Sequence, residues 1–363
     1  MPTQKGQELV VKVKKNQPFQ CSDTIVNPGE RVSVDLEVAR LYTHSKLSVT
    51  LEIVNGRLAG PTLLVDAAIH GDELNGVEVV RQLLAKIDPH KLRGTLVAVP
   101  VVNVFGFIHK SRYLPDRRDL NRSFPGSPRG SIAGRIAYQF FNEVVMKCTH
   151  VIDLHTAAIH RTNLPQIRAN LSNQASSQMA MAFGTPVVID ASLRDGSLRA
   201  VTEKANIPII TYEAGEALRF EPYAINAGVR GIHRVMRQLE MLPQKKLLKT
   251  KQPVVASATR WIRADLDGIL RSHVALGQRV EKDQTIAYIS DPLGSEELAV
   301  KAIQGGIVIG QQTLPLVNEG DAIYHIAYFD EPDHLVEENV ELYLDNVMED
   351  NDVEIKTGFE INR

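Results

Sequence analysis

"GPTLLVDAAIHGDELNGVEVVRQLLAKI", residues 60–87, changes character within a few positions. Up to Ile69 it is a nearly continuous apolar run, as expected of a strand covered on both faces. Beyond it, Val77, Val80, Leu83, Leu84 and Ile87 recur at helical spacing. A buried strand that feeds an amphipathic helix is the repeating unit of an α/β sheet. His70 and Glu73 fall at the junction, three residues apart, where one face of a first helical turn would carry both. They are either an ordinary helix start, with an acid near its N-terminus, or two arms of a metal site.

The same alternation continues outward. Residues 31–54, "RVSVDLEVARLYTHSKLSVTLEIV", hold two stretches of period-two alternation and predict antiparallel strands. "GTLVAVPVVN" (94–103) and "HVIDLHT" (150–156) predict further buried strands, with a helix over "GSIAGRIAYQFFNEVVMK" (130–147) between them. "TPVVID" (185–190), a helix around "SLRAVTEKAN" (197–206), the strand "IPIITYEAG" (207–215) and a helix from about Ala224 to Leu242 complete the series. Strands alternating with helices predict an α/β fold whose central sheet is mixed and largely parallel.

At "LPQKKLLKTKQPVV" (242–255) helical periodicity stops, and short strands with glycine turns take over. Two pieces echo each other there, "HVALGQRVEKDQTIAYIS" (273–290) and "TLPLVNEGDAIYHIA" (313–327). They resemble the two halves of a biotinyl/lipoyl-like barrel-sandwich. Such a carrier needs a lysine on the hairpin between its halves. The turn "SDPLGSEE" (290–297) has none, and Lys301 lies in the following strand, so no attached biotin or lipoate is expected. The tail "FDEPDHLVEENVELYLDNVMEDND" (329–352) is acidic, with Leu335, Val336, Val340, Leu344 and Val347 at roughly helical spacing. It reads as a helix with a solvated face or as a docked amphipathic helix. The expected organisation is therefore 1–250, an α/β domain; 251–330, an all-β module; and 331–363, an acidic tail.

Composition narrows the function classes. A chain of 363 residues exceeds what one compact core usually holds. A net charge of −2 gives no electrostatic reason to expect nucleic acid or an anionic membrane as partner. No run approaches the roughly 20 apolar residues of a membrane helix, and "MPTQKGQELVVKVKKNQ" lacks the apolar core of a secretory signal. Cys21 and Cys148 lie outside any CxxC and read as two reduced thiols rather than a disulfide. A cytoplasmic protein is expected.

Chemistry concentrates at strand ends. His155 closes "HVIDLHT", at the edge where open α/β sheets build their sites. It is either a satisfied strand-end residue or, with His70 and Glu73, the third ligand that a catalytic zinc requires, whose fourth position is left for water. "RDLNRSFPG" (118–126) crowds Asp119, Asn121 and Arg122 into one loop, with donors suited to a carboxylate. Glu213 ends an apolar strand and must meet solvent, a partner or a ligand. No GxSxG is present to support a serine nucleophile.

HGDE, DLNR, DLHT and a late strand-end Glu, in that order, resemble the succinylglutamate desuccinylase/aspartoacylase family, of the zinc carboxypeptidase-like superfamily, over about residues 30–245. The resemblance implies a zinc-carboxypeptidase-like fold, one Zn2+ per chain held by His70, Glu73 and His155, and Glu213 as general base, with Glu216 the lesser candidate. It implies Asn121 and Arg122 as carboxylate ligands, Asp119 as acceptor for the first zinc histidine, and Asp153 as rival or additional acceptor for a zinc histidine. It also calls for an arginine on the oxyanion, for which Arg112 is chosen over Arg117 and Arg118. Arg168 reads as a contact for a second acidic group of the substrate or as a surface residue.

The function implied is deacylation of a small N-acyl amino acid by metal-activated water. A metallocarboxypeptidase acting on peptide C-termini and a catalytically idle zinc-binding scaffold stay open beside it. The acyl group, the oligomeric state and the role of the β module are not decided by the sequence.

Overall fold

The structure, a computed structural model, describes residues 14–40, 43–244, 252–330 and 333–349. The first residues of the expected N-terminal domain, most of the expected linker and the end of the acidic tail lie outside these. A small hairpin, β1 (Phe19–Cys21) and β2 (Thr24–Val26), precedes β3 (Arg31–Arg40), β4 (Lys46–Asn55) and β5 (Leu58–Ala67). Then follow α1 (Asn75–Lys86), β6 (Arg93–Val99), α2 (Val104–His109), α3 (Ile132–Glu143), β7 (His150–Ala157), β8 (Arg161–Ala169) and α4 (Gln174–Phe183). The chain continues through β9 (Val187–Asp190), α5 (Leu198–Lys204), β10 (Ile209–Glu216) and α6 (Pro222–Gln238).

Among the described residues β1 and β2 pair only with each other, and β3 to β10 belong to one sheet, in the order β8-β10-β7-β5-β6-β4-β3, with β9 beside β8. β10, β7, β5 and β6 are mutually parallel, whereas β4 and β8 run antiparallel at either side of them. The sheet is thus mixed, with the expected parallel centre. One face packs on α1, α4 and α6 through Val79, Leu83, Phe183, Ile232 and Val235. The other packs on α3 and α5 through Ile136, Phe140, Leu198 and Val201. Burial on both faces is why the central strands read as apolar runs rather than as alternation. The sequence reading has no strand at β8, where Pro165 and the polar Thr162, Asn163 and Gln166 mask the pattern.

The C-terminal third is all β: β11 (Val254–Ala256), β12 (Ala258–Arg263), β13 (Gly268–Ser272), β14 (Arg279–Val280), β15 (Thr285–Ser290), β16 (Glu297–Lys301), β17 (Gly306–Gln312), β18 (Leu316–Val317) and β19 (Ala322–Tyr328). β16, β15, β13 and β18 form a second sheet. It closes over β12, β17 and β19 around a core that includes Leu270, Val280, Ile286, Val308, Ile323 and Ile326. β17 pairs with β8, and β11 with β9, so the large sheet runs on from the N-terminal part into this third.

The tail forms α7 (Asp333–Glu349), and it is docked: Val336, Val340 and Val347 are buried. Val336 and Val340 pack with Leu164, Val187, Ile307 and Ile309, and Glu337 pairs with Arg279 at 3.5 Å. No helix among the described residues is long and apolar enough to cross a membrane. The docking of α7 has a stability consequence. Val340→Ala should cost about 2 kcal/mol, from two buried methyls and the cavity they leave. Leu342→Ala, at a position 49% exposed, should stay within about 0.5 kcal/mol of wild type. Urea midpoints of the two variants check this; equal effects would show that α7 does not rest on Val340.

Candidate metal centre and active site

The carboxyl ends of β5, β7 and β10 lie side by side, because the three strands are parallel and in register. β5 stops at Ala67, and Ala68 takes a left-handed backbone conformation, φ 50°, that turns the chain out of the sheet. A tight turn follows, with Glu73 N donating to His70 O at 3.1 Å. Gly71 sits so close to the backbone of Gly106 and Phe107 that a Cβ would come within 2.0 Å of Gly106 C. This explains the glycine of the HGDE motif.

That turn and the end of β7 bring His70, Glu73 and His155 together, with one ligand atom from each within 4.8 Å of the others, all three residues buried. Glu73 Oε1 lies 2.7 Å from His70 Nδ1, and Oε2 lies 2.7 Å from His155 Nδ1. The opposite ring nitrogens also face carboxylates: His70 Nε2 is 3.1 Å from Asp119 Oδ1, and His155 Nε2 is 2.9 Å from Asp153 Oδ1. Each imidazole therefore has a carboxylate oxygen near both nitrogens, hydrogen-bonded on both sides at His70 and, at His155, hydrogen-bonded to Glu73 with Asp153 at ion-pair distance. A neutral imidazole has a single N–H and can satisfy only one of them. Either both rings carry a second proton, or a cation stands between Nδ1 and Glu73. Two nitrogens and a carboxylate, with outer carboxylates fixing the tautomer, suit zinc.

The electrostatics agree. Burial alone would lower the His155 imidazole, but Asp153 and Glu73 outweigh it and hold the ring well above its usual value. The same balance, set by Glu73 and Asp119, raises His70. Burial would likewise raise Glu73 and Asp119. The two histidines overcome it at Glu73, and His70 with Arg112 does so at Asp119, so both carboxyls sit far below the ordinary range. Behind His155, Asp66 pairs across the strands with Asp153 and is fully buried. Burial, then the Asp153 charge, pushes its carboxyl well up. The apolar run around it concealed this fourth acid.

The remaining expected residues fall at different distances from the centre. Arg112 reaches it, donating from Nη1 to Glu73 Oε1 at 3.3 Å and from Nη2 to Asp119 Oδ2 at 3.1 Å. Arg118 stays at the surface, 3.9 Å from Asp116. Asn121 and Arg122 lie on a single 3-10 turn capped by Asp119. The Asn121 side-chain oxygen is already engaged, accepting from Leu198 N at 2.8 Å. Burial, opposed by Asp119, together with Arg194 and Arg112 nearby, lowers the Arg122 guanidinium. Crowded cations of this kind invite an anion. Arg194 joins them from the β9–α5 loop, which carries no motif by which the sequence reading could have found it.

Glu213 stands on β10 in register with His155 on β7. Its Oε2 accepts from Asn163 Nδ2 at 2.8 Å, and its Oε1 is 3.3 Å from Arg168 Nε. Arg168 thus faces Glu213, and it is neither a free surface cation nor wholly available to a second substrate anion. Glu216, past a bulge in β10, turns elsewhere: it accepts from His160 N at 3.0 Å and Thr313 Oγ1 at 3.1 Å. Cys21 and Cys148 are buried and unbridged, and burial raises both thiols, so neither offers a thiolate nucleophile.

Two measurements follow. Elemental mass spectrometry should find about one zinc per chain in the wild type and almost none in His70→Ala, which removes one of three ligands. The carboxylates around them, outweighing burial, raise both the His70 and the His155 imidazole, so a cation bound there would compete with protons. Apparent zinc affinity, measured against a competing chelator, should therefore weaken as pH falls from about 8 to about 6. An affinity flat across that range would mean that the rings are already neutral.

Residues 59–239 match the succinylglutamate desuccinylase/aspartoacylase catalytic domain. An N-alpha-acetyl-L-2,4-diaminobutyric acid deacetylase of Halomonas elongata is 28% identical over 283 residues, covering 74% of this chain and 82% of the relative. A succinylglutamate desuccinylase of Pseudomonas aeruginosa is 27% identical over 244 residues, covering 59% of this chain and 68% of the relative. Among solved structures, the product-bound ectoine utilization protein EutE (DoeB) of Ruegeria pomeroyi superposes with a TM-score of 0.76 at 23% identity, over 87% of this chain and all of that one, which attests the fold. Strand-end histidines, the turn that carries Glu73 and the matched domain concur: this chain belongs to the succinylglutamate desuccinylase/aspartoacylase family.

Proposed function

We propose that this protein is a zinc-dependent amidohydrolase that removes the acyl group from a small N-acyl amino acid. The observation that carries the reading is the convergence of two imidazole Nδ1 atoms on the buried Glu73 carboxylate, with Glu213 in register beside one of them. The deacetylase and desuccinylase relatives support the reaction class. His70, Glu73 and His155 would hold the ion, and the donor set fits it. Bound there, zinc would activate water at neutral pH and polarise the scissile carbonyl.

The chain's own residues account for the rest. Glu213, 21% exposed on its side chain, is open enough to meet a substrate and takes the proton of the attacking water. It then returns that proton to the departing amine. Arg112 is the cation nearest the centre and stabilises the oxyanion once substrate loosens its hold on Glu73. Asn121 and Arg122 orient the substrate carboxylate, with Arg194 adding charge from the facing loop. Arg168 forms an ion pair with Glu213, its Nε 3.3 Å from Oε1, and its terminal nitrogens would meet a second anionic group. Asp119 and Asp153 keep the two imidazoles in the tautomer that presents Nδ1 to the ion.

Within the same proposal, residues 1–250 are the catalytic part, and 251–330 form a barrel-sandwich of biotinyl/lipoyl-like kind that serves as structure. Helix α7 (Asp333–Glu349) of the acidic tail anchors that module.

A panel of N-acetyl and N-succinyl amino acids, set against short peptides with free C-termini, tests the substrate class. Faster turnover of peptides would make the protein a carboxypeptidase. For the best substrate, Glu213→Gln should keep its zinc and lose on the order of 10²- to 10⁴-fold in kcat. Retained turnover would move the base elsewhere.

A further inference from the structure

We infer that Asn163 is a positioning residue for Glu213, and that strand β17 of the C-terminal module holds Asn163 in place through Gly310. The inference rests on the reading of Glu213 as the base. Asn163 is buried on β8, between the strand that carries Glu213 and the first strand contributed by the C-terminal third. Its Nδ2 donates to Glu213 Oε2 at 2.8 Å. A carboxylate only accepts, so the amide must turn its nitrogen toward Glu213 and its oxygen away.

What lies on that far side is Gly310, the cross-strand partner of Asn163 on β17. Gly310 is also the partner of His325 on β19, and His325 that of Trp261 on β12. Cross-strand partners project from the same face of a sheet. Trp261, His325, Gly310 and Asn163 therefore form one row, which continues in register to Gly215 on β10; from it the Asn163 side chain reaches Glu213, two residues before Gly215. A Cβ on Gly310 would come within 2.9 Å of Asn163 Oδ1 and 3.2 Å of His325 Cβ. His325 cannot yield: it is buried and stacked on Trp261, ring centres 4.6 Å apart and planes 4° from parallel. Arg161 covers the other ring at 5.5 Å. A side chain at Gly310 would push the amide of Asn163, and with it the bond to Glu213.

Burial, then Arg168 nearby, lowers His325 to about 3, so the imidazole stays neutral within the row. Arg168 on one carboxylate oxygen and Asn163 on the other leave Glu213 little rotamer freedom. Proton transfer demands that kind of placement, since small displacements of a catalytic group are costly.

The test uses the full-length, zinc-loaded protein and the N-acyl amino acid that it turns over fastest. Asn163→Ala and Gly310→Ala should each lower kcat on the order of 10- to 100-fold, the cost of a hydrogen bond to a charged group. KM and zinc content should change little. Asn163→Asp, which keeps the shape but sets a carboxylate against Glu213, serves if truncation unfolds β8. In a Glu213→Gln background the same changes should have almost no further effect, because they act through Glu213. A crystal structure of Gly310→Ala should show the Glu213 carboxylate displaced.

Equal losses in both backgrounds would make Asn163 merely structural and overturn the inference. So would full kcat in the Asn163 and Gly310 variants while Glu213→Gln is inactive, an outcome that leaves the base reading intact. An active Glu213→Gln would end both.

Discussion

A carboxylate as buried as that of Glu73, 2% exposed, has to be matched by donors or positive charge, because an unpaired buried ion costs several kcal/mol. Its partners come from separate parts of the chain. His70 belongs to its own turn, His155 and the Thr156 amide to the end of β7, and Arg112 to the loop after α2. Each partner needs support in turn, from Asp119 for His70 and Arg112, and from Asp153 for His155. The position of one side chain thus ties two strands and two loops to a single point. The excess of acceptors around the imidazoles is what makes that point a place for a cation.

The sheet makes this convergence achievable. Parallel β5, β7 and β10 end at one edge, so residues far apart in sequence arrive together with little backbone distortion. Antiparallel β8 then turns the sheet outward, and β17 extends it into the C-terminal third. The β module is consequently no loose appendage. Its strands share hydrogen bonds with the strand next to Glu213, Thr313 reaches Glu216, and α7 packs across β17 and β9 neighbours through Val336 and Val340.

Much of the fold was legible because it follows from burial. Strands covered on both faces read as apolar runs at 60–69, 94–99 and 150–156, and helices between them read through their one-sided stripes. β8 escaped because its polar residues, Asn163 and Gln166 among them, are spent on the interior of the site rather than on solvent. For α7 the sequence left docking open beside a solvated face, because its acidic face dominates the sequence while a few valines carry the packing.

For the site, ligand-type residues at strand ends were visible because chemistry restricts which side chains can hold zinc, and local spacing sets which face they share. The order HGDE, DLNR, DLHT and Glu213 was likewise a property of the chain alone. Which groups stand behind and beside them was not: Asp66 under Asp153, Asn163 and Arg168 on Glu213, Arg194 facing Arg122 and Gly310 beneath Asn163 are neighbours only across strands and loops. Sequence by itself determined the kinds of candidate ligand and the layered α/β frame, since both follow from residue type and local period. Tertiary structure alone decided how those ligands are paired, neutralised and held, because charge and hydrogen bonding act over a few ångströms of space however far apart the residues lie along the chain.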